Sequence, residues 1–218
     1  MLELQNITKY YKHSVNSNPA VNHVNLLVKE KDFISVIGPS GSGKSTLFHI
    51  ITGLLKPSEG IVALDGKELT TLKKKDIFLA EQISFIMQGQ NLLTNFTVED
   101  NLYFPLYLAG IKGDYREQVR EVLELVGLYG AVSSYPDRLS GGELRRIAIA
   151  RALMQKPRIL IADEPTSNLD TANAIKVMEL FRKINEEGTA LLISTHDERF
   201  LPYSKSIYRM EMGNLALL

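Results

Sequence analysis

The spacing of apolar and polar residues changes rhythm twice along the chain. In the first third it is the rhythm of strands. Val24, Leu26 and Val28 alternate with Asn25, Leu27 and Lys29, imperfect only at Leu27, as a half-buried strand does. Phe33-Ile34-Ser35-Val36-Ile37 is a short β-rich run that ends at Gly38 and opens into a glycine-dense loop. Ile61 to Leu64 followed by Asp65-Gly66 is a strand and then a tight turn, and Ile83 to Met87 is a further short strand. From about Thr97 to Met154 the spacing becomes helical. Thr97 with Asp100 three residues on marks a helix start, and Pro105 is expected to kink or end that helix. Asp114 precedes a helix with Val119, Val122, Leu123 and Val126 on one stripe, closed by Gly127. Then strands return. Ile159 to Ala162 and Ala190 to Ile193 are unbroken apolar runs, the pattern of parallel strands buried on both faces. Between them Ala174, Val177, Met178, Phe181 and Ile184 form a helical stripe that ends at Gly188.

Strands, then a helical insert, then alternating β and α point to a mixed α/β core carrying a helical lobe. At 218 residues and 44% hydrophobic, the chain suffices for one such domain with a sizeable core. No repeat or charge block interrupts it, and His13 to Pro19 is a polar loop near the start. Twenty-five basic against 25 acidic residues leave no positive field to recruit nucleic acid or an anionic membrane. Zero cysteines exclude disulfides, thiolate nucleophiles and Cys-type zinc sites. The first residues lack the basic and apolar stretches of a signal peptide. No apolar run approaches the ~18–20 residues that span a bilayer. The expectation is a soluble, cytosolic domain that meets membranes only through a partner.

Gly38-Pro39-Ser40-Gly41-Ser42-Gly43-Lys44-Ser45, continuing into Thr46, fits the phosphate-loop pattern G-x-x-x-x-G-K-[ST] between a strand and an amphipathic helix. Glycines there let backbone N–H groups converge on phosphate oxygens, and the helix N-terminus adds positive partial charge. Lys44 is placed to reach the β- and γ-phosphates and Ser45 to hold Mg²⁺. Further on, Asp163 and Glu164 lie just past the buried run Ile159 to Ala162, at the strand end where such sheets bind ligands. Asp163 is suited to Mg²⁺ and Glu164 to orienting or deprotonating an attacking water. A third element, Leu139-Ser140-Gly141-Gly142-Glu143, precedes a largely buried helix. Ser140 and Glu143 have capping-box spacing, while two exposed glycines at a helix start also make an anion surface.

Taken in order, these segments resemble the ATP-binding cassette (ABC) ATPase family over nearly the whole chain. Leu139 to Glu143 is similar to the family signature. Gln88 stands at the Q-loop position, Ser167-Asn168-Leu169-Asp170 resembles the D-loop, and His196 in Ser194-Thr195-His196-Asp197 the switch histidine. Tyr11 resembles the aromatic residue that stacks on adenine. The resemblance implies a P-loop NTPase fold of ABC type. That fold has a RecA-like mixed sheet core, an N-terminal antiparallel β subdomain and an inserted helical lobe. It divides one domain, 1–218, into a core (1–88 and 157–218) and a Q-loop and signature lobe (89–156). ATP and Mg²⁺ are the implied ligands, with Ser45, Gln88 and Asp163 toward the metal and Lys44, Gln88, Glu164 and His196 toward hydrolysis. Two copies would pack head to tail, with Ser140, Gly141 and Gly142 serving the partner's nucleotide and Asp170 of the D-loop a further nucleotide-site residue.

The stretch Ile86 to Leu93, followed by Phe96 to Leu102, is similar to the branch serving lipoprotein release, macrolide export and cell division. Cassettes of that branch power a separate integral membrane permease of exporter or mechanotransmission type. The chain would then be cytoplasmic, peripheral on the inner face of the membrane, with no room after its last strand for a regulatory domain. Leu144 and Arg145 replace glutamines common after the signature, and Met212-Gly213 replaces a frequent Asp-Gly turn. The alternatives are a non-transport cassette acting on nucleic acid or the ribosome, against which the neutral charge argues, and a P-loop kinase. The kinase reading leaves the signature and the switch histidine unexplained.

Overall fold

A computed structural model describes residues 1–11, 18–69, 82–89 and 92–218. Most of the expected polar loop, His13 to Ser17, lies outside the described residues, as do Gln90 and Asn91.

Two sheets form the frame. The smaller is antiparallel, in the order β2-β1-β4-β5: β1 is Leu2–Lys9, β2 Val21–Val28, β4 Glu59–Leu64 and β5 Lys67–Glu68. Val24, Leu26 and Val28 are buried and Leu27 is exposed, so the alternation holds with Leu27 on the wet face. Asp65 and Gly66 both have positive φ, as the two-residue hairpin turn between β4 and β5 requires. The larger sheet is mixed, in the order β10-β9-β3-β8-β7-β6. It comprises β3 Phe33–Ile37, β6 Ile83–Ile86, β7 Ile159–Ala162, β8 Ala190–Thr195, β9 Ser206–Glu211 and β10 Asn214–Leu217. β6, β7, β8, β3 and β9 run parallel, and β10 turns back antiparallel on β9.

The apolar runs are unbroken because both faces of this sheet are covered. On β7, Ile159 and Ile161 face a core shared with the small sheet and helix α1 (Lys44–Ile51). Leu160 and Ala162 face the opposite core, built by α2 (Val98–Leu108), α3 (Arg116–Leu125), α4 (Gly141–Leu153) and α5 (Thr171–Glu186). This is the mixed-sheet, antiparallel-subdomain architecture that the motifs imply.

Local chemistry sets the helix ends. Thr97 caps α2 in a reciprocal box with Asp100, and Ser140 caps α4 in the same way with Glu143. Gly127 and Gly188, at φ 69° and 117°, end α3 and α5 as expected. Two expectations need correction. Pro105 does not end α2, which runs on to Leu108. Ala109 N–H still reaches the Pro105 carbonyl at 3.1 Å, and buried Leu102 and Leu106 hold the turn across the proline. Asp114 does precede α3, one residue before the flanking Tyr115, and its Oδ1 accepts Arg116 N–H at 3.1 Å. The same carboxylate takes the Arg116 guanidinium at 2.6 Å. Beyond β8 the chain adds two more strands, β9 and β10, where only Met210 is fully buried.

Candidate active site

The carboxyl ends of β3, β6, β7 and β8 open onto one cleft of about 550 Å³, lined by Tyr11, Ala20, Gly38, Ser40, Gly41, Gly43, Lys44, Ser45, Thr46, Gln88, Glu164 and His196. Its floor is the loop between β3 and α1. Glycine is forced at two places in that loop by close approach. A Cβ on Gly38 would lie 2.1 Å from the Met210 carbonyl, and one on Gly43 would lie 2.1 Å from the Ala20 carbonyl. Gly43, at φ 110°, is the residue before α1, and no side chain caps the helix there. The first N–H groups of α1 therefore face the cleft without a side-chain acceptor, the arrangement an anion uses. Gly41, at φ 77°, has open space where its Cβ would be.

Lys44 is buried, and its Nζ donates to the carbonyls of Gly38 at 2.7 Å and Pro39 at 2.9 Å, which holds it along the loop. Ser45 is exposed at the helix start, and the Tyr11 hydroxyl lies 3.3 Å from Thr46 Oγ1 at the cleft's edge. Pro39 and Ser42 belong to the same loop but do not line the cleft. Ser42 is buried with its Oγ unpaired, and its carbonyl accepts from Gly213 N–H at 3.0 Å.

Across the cleft, Glu164 has φ +46°, a left-handed turn straight after the strand. Its carboxylate accepts from Gln88 Nε2 at 3.1 Å and lies 3.7 Å from His196 Nδ1. Asp163, immediately before it, is buried, and its Oδ1 accepts the Ser194 hydroxyl at 2.5 Å. The expected hydrolysis residues Lys44, Gln88, Glu164 and His196 thus share one cleft.

The remaining candidates lie elsewhere. Ser140 donates to Glu143 Oε2 at 2.6 Å, which helps hold that carboxyl below its usual range, and Gly141 beside it is exposed. Gly142 is buried, contrary to the expectation of two exposed glycines. A Cβ there would meet Asn173 Cγ at 2.6 Å, so the residue is small to let α4 pack on α5. Asp170 caps α5, accepting Asn173 N–H at 2.9 Å and Asn173 Nδ2 at 2.6 Å. Those two bonds favour its charged form and hold the carboxyl below its usual range.

Sequence matching settles the lineage. The family model described as ABC transporter covers residues 21–167. The chain belongs to the ABC transporter family. This cassette is 42% identical over 202 residues to the uncharacterized ABC transporter ATP-binding protein YvrO of Bacillus subtilis (strain 168), spanning 90% of this chain and 87% of that one. It is 40% identical over 216 residues to the lipoprotein-releasing system ATP-binding protein LolD of Blochmanniella floridana, spanning 97% and 92%. The solved dimer of the ATP-binding cassette MJ0796 in a post-hydrolysis state bound to ADP and Pi matches with a TM-score of 0.90. It is 35% identical, over 100% of this chain and 99% of that one. The cassette is an ATPase subunit of a transporter, and its likeness to the lipoprotein-release branch stands. Among the described residues no helix is long and apolar enough to cross a membrane.

Three residues of the site escaped sequence reasoning. Ala20 and Met210 press on the phosphate loop from distant segments and carry no motif. Ser194 stands two residues before His196, and only the polarity of one position at the end of an apolar run could have flagged it.

Proposed function

We propose that two copies of this chain close head to tail around two ATP molecules, and that closing and reopening this pair drives a separate membrane permease. The observation that carries the reading is the split placement of phosphate-binding chemistry. The cleft holds Lys44, Gln88, Glu164 and His196, whereas Ser140 and Gly141 lie exposed on another face and do not line it. A cleft open on one side leaves the terminal phosphate only half surrounded, and the exposed start of α4 on a second copy is the complementary cover. The dimeric state of the related cassette MJ0796 supports this pairing.

The donors present fit Mg²⁺. Ser45 offers a hydroxyl, Asp163 a carboxylate, and Gln88 an amide oxygen, since its Nε2 is given to Glu164. These are hard oxygen donors, few in number, as suits an ion that arrives on phosphates and keeps waters. No cluster of three or more acidic, His or Cys side chains exists among the described residues to form a cage of its own. When bound, Mg²⁺ supplies neutralising charge to the phosphate oxygens.

The residues then divide the work. The loop amides and Lys44 hold the β- and γ-phosphates, with Lys44 exchanging its loop carbonyls for phosphate oxygens. Glu164 accepts a proton from the attacking water as that oxygen bonds to the γ-phosphorus. The bond to the β-bridging oxygen breaks, leaving ADP and phosphate. Gln88 and His196 hold the Glu164 carboxylate from two sides, and His196 senses the terminal phosphate. Tyr11 covers the nucleotide base. Ser140, Gly141, Gly142 and Asp170 act at the partner's nucleotide.

Gln88 also joins the cleft to a second groove of about 250 Å³, lined among others by Phe85, Met87, Gly89, Pro105, Arg151 and Gln155. That groove, between β6 and helices α2 and α4, receives the permease, which holds the chain at the inner face of the cell membrane. The test is hydrolysis by the isolated chain across a wide protein range. Specific activity rises with concentration until pairing saturates. Constant activity in a sample that light scattering shows to be monomeric refutes the shared site.

A further inference from the structure

We propose that Ser194 is a positioning residue of the hydrolysis site, one hydroxyl that fastens both the Asp163 carboxylate and the Glu164 backbone to strand β8. This rests on the roles assigned above to Asp163 and Glu164.

β8 pairs in parallel with β7 through Ile193 and Ala162, which sets the next residue, Ser194, beside the acidic strand end. Ser194 is fully buried after the apolar residues Ala190 to Ile193. A hydroxyl buried there is costly unless hydrogen-bonded, and this one is bonded twice. It lies 2.8 Å from Glu164 N and 2.5 Å from Asp163 Oδ1. The directions are fixed by proton counting, because a backbone N–H only donates. The hydroxyl oxygen accepts from Glu164, and its single proton goes to Asp163.

Two consequences follow. Among the described residues Ser194 is the only donor to the Asp163 side chain. Oδ1 is therefore tied by a charge-assisted bond, the carboxylate is held against rotation, and Oδ2 is left for a cation. Secondly, Glu164 at φ +46° occupies a region that costs an L-residue roughly 1–2 kcal/mol. It also precedes Pro165, a position biased toward extended backbone. The Ser194 bond on its N–H, with Ser167 N–H and Oγ on its carbonyl at 3.1 and 2.9 Å, holds that turn. The turn in turn delivers the side chain between Gln88 and His196. Because His196 follows two residues after Ser194, one strand fixes the metal acid, the water-activating acid and the histidine relative to one another.

The test compares S194V with S194T in the full-length chain. Both side chains are β-branched and tolerated in strands, and they differ by the hydroxyl alone. Three quantities are measured: kcat and KM for ATP, affinity for a fluorescent ATP analogue with Mg²⁺ and with EDTA, and amide exchange of the peptide spanning residues 163–167 without nucleotide. In S194V, kcat falls about 10–100-fold, the scale of a misplaced reacting group, with little change in KM. Exchange at the Glu164 amide quickens about tenfold, the value of one hydrogen bond. The tightening of binding by Mg²⁺ shrinks, and S194T recovers all three. Parent-like kcat and exchange in S194V overturn the proposal. So does equal impairment of S194V and S194T, which would assign the effect to bulk. Should S194V not fold, S194A replaces it in the same comparison. D163N, measured alongside, separates the levels. If D163N keeps the Mg²⁺-dependent affinity, the underlying site reading fails. If D163N loses it while S194V keeps it, only the role of Ser194 fails.

Discussion

Replacing Glu164 by Gln exchanges one carboxylate oxygen for an NH₂ group of nearly the same shape. None of the bonds that hold the turn involves this side chain, because Ser194 binds its backbone N–H and Ser167 its carbonyl. What the fold loses is the charge in the contact with Gln88, 3.1 Å away, and with His196, 3.7 Å away. The amide oxygen of Gln still accepts from Gln88. The difference between a charged and a neutral acceptor amounts to about 1 kcal/mol. For a chain of this size that lowers the melting temperature by only about 2–4 °C. The chemistry loses its proton acceptor, which is worth about 10²–10⁴ in rate, or roughly 3–5 kcal/mol of barrier. The predicted signature of E164Q is therefore slow phosphate release at saturating ATP and Mg²⁺ in a protein that melts almost normally. Because the terminal phosphate is not removed, the pair stays closed, and light scattering in ATP shows dimers where nucleotide-free protein shows monomers. Turnover within about threefold of the parent would refute the base assignment, since no other change in the site supplies a comparable effect.

Three further outcomes follow from the geometry. G142A sets a methyl against the Asn173 side chain, 2.6 Å from its Cγ and tied to Asp170. The strain of about 2 kcal/mol exceeds the ~1 kcal/mol gained in helix propensity, so melting falls a few degrees. Adding G142A to N173A costs much less than adding it to the parent, and a double variant with fully additive losses sinks the packing account. S140A lowers hydrolysis on the order of 10²-fold if Ser140 touches the partner's phosphate, yet leaves nucleotide affinity of the isolated chain unchanged. Loss of that affinity would point to capping alone. Finally, the Arg158 guanidinium, with the Met1 amine, holds Asp65 down at about 2 from 3.8. A depressed carboxyl stabilises the fold above pH 4 and loses that contribution as pH falls toward 2. The pair is largely exposed, so urea unfolding should show D65N weaker by about 0.5–1 kcal/mol at pH 6, with the gap closing by pH 2. A gap independent of pH removes the ion pair as its cause.

The chemistry was legible wherever a local rule sufficed. The phosphate loop showed itself because its glycines are spaced by a pattern, and the caps at Thr97 and Ser140 because their partners stand three residues on. Periodicity found the strands buried on both faces. It missed β1, where Asn6 at φ 50° and two register shifts break the alternation after Leu4. It missed β9 and the edge strand β10 because they lie only partly buried. Of the two outcomes expected at Pro105, an end to the helix does not occur, because the packing of Leu102 and Leu106, a tertiary effect, outweighs a backbone penalty of about 3 kcal/mol. Gly142 had the right identity for an unforeseen reason, since its neighbour Asn173 is 31 positions away.

The unread part of the site has a common physical form. β3, β6 and β7 leave the sheet toward the cleft through a residue of positive φ: Gly38 at 153°, Gly89 at 94° and Glu164 at 46°. Two of these are glycines, which a sequence advertises. The third is not, because the water-activating role needs a carboxylate at a place where the backbone favours no side chain at all. An L-residue persists in such a turn only when its surroundings over-determine it. The groups that do so come from separate places, Ser194 from a neighbouring strand and Ser167 from the loop that follows. The same reasoning applies behind the phosphate loop. Gly38 and Gly43 are glycines because carbonyls of Met210 and Ala20 occupy the space of a side chain. Strain at the site is thus matched by support from segments distant in sequence, and replacing a supporting residue should harm turnover before it harms folding.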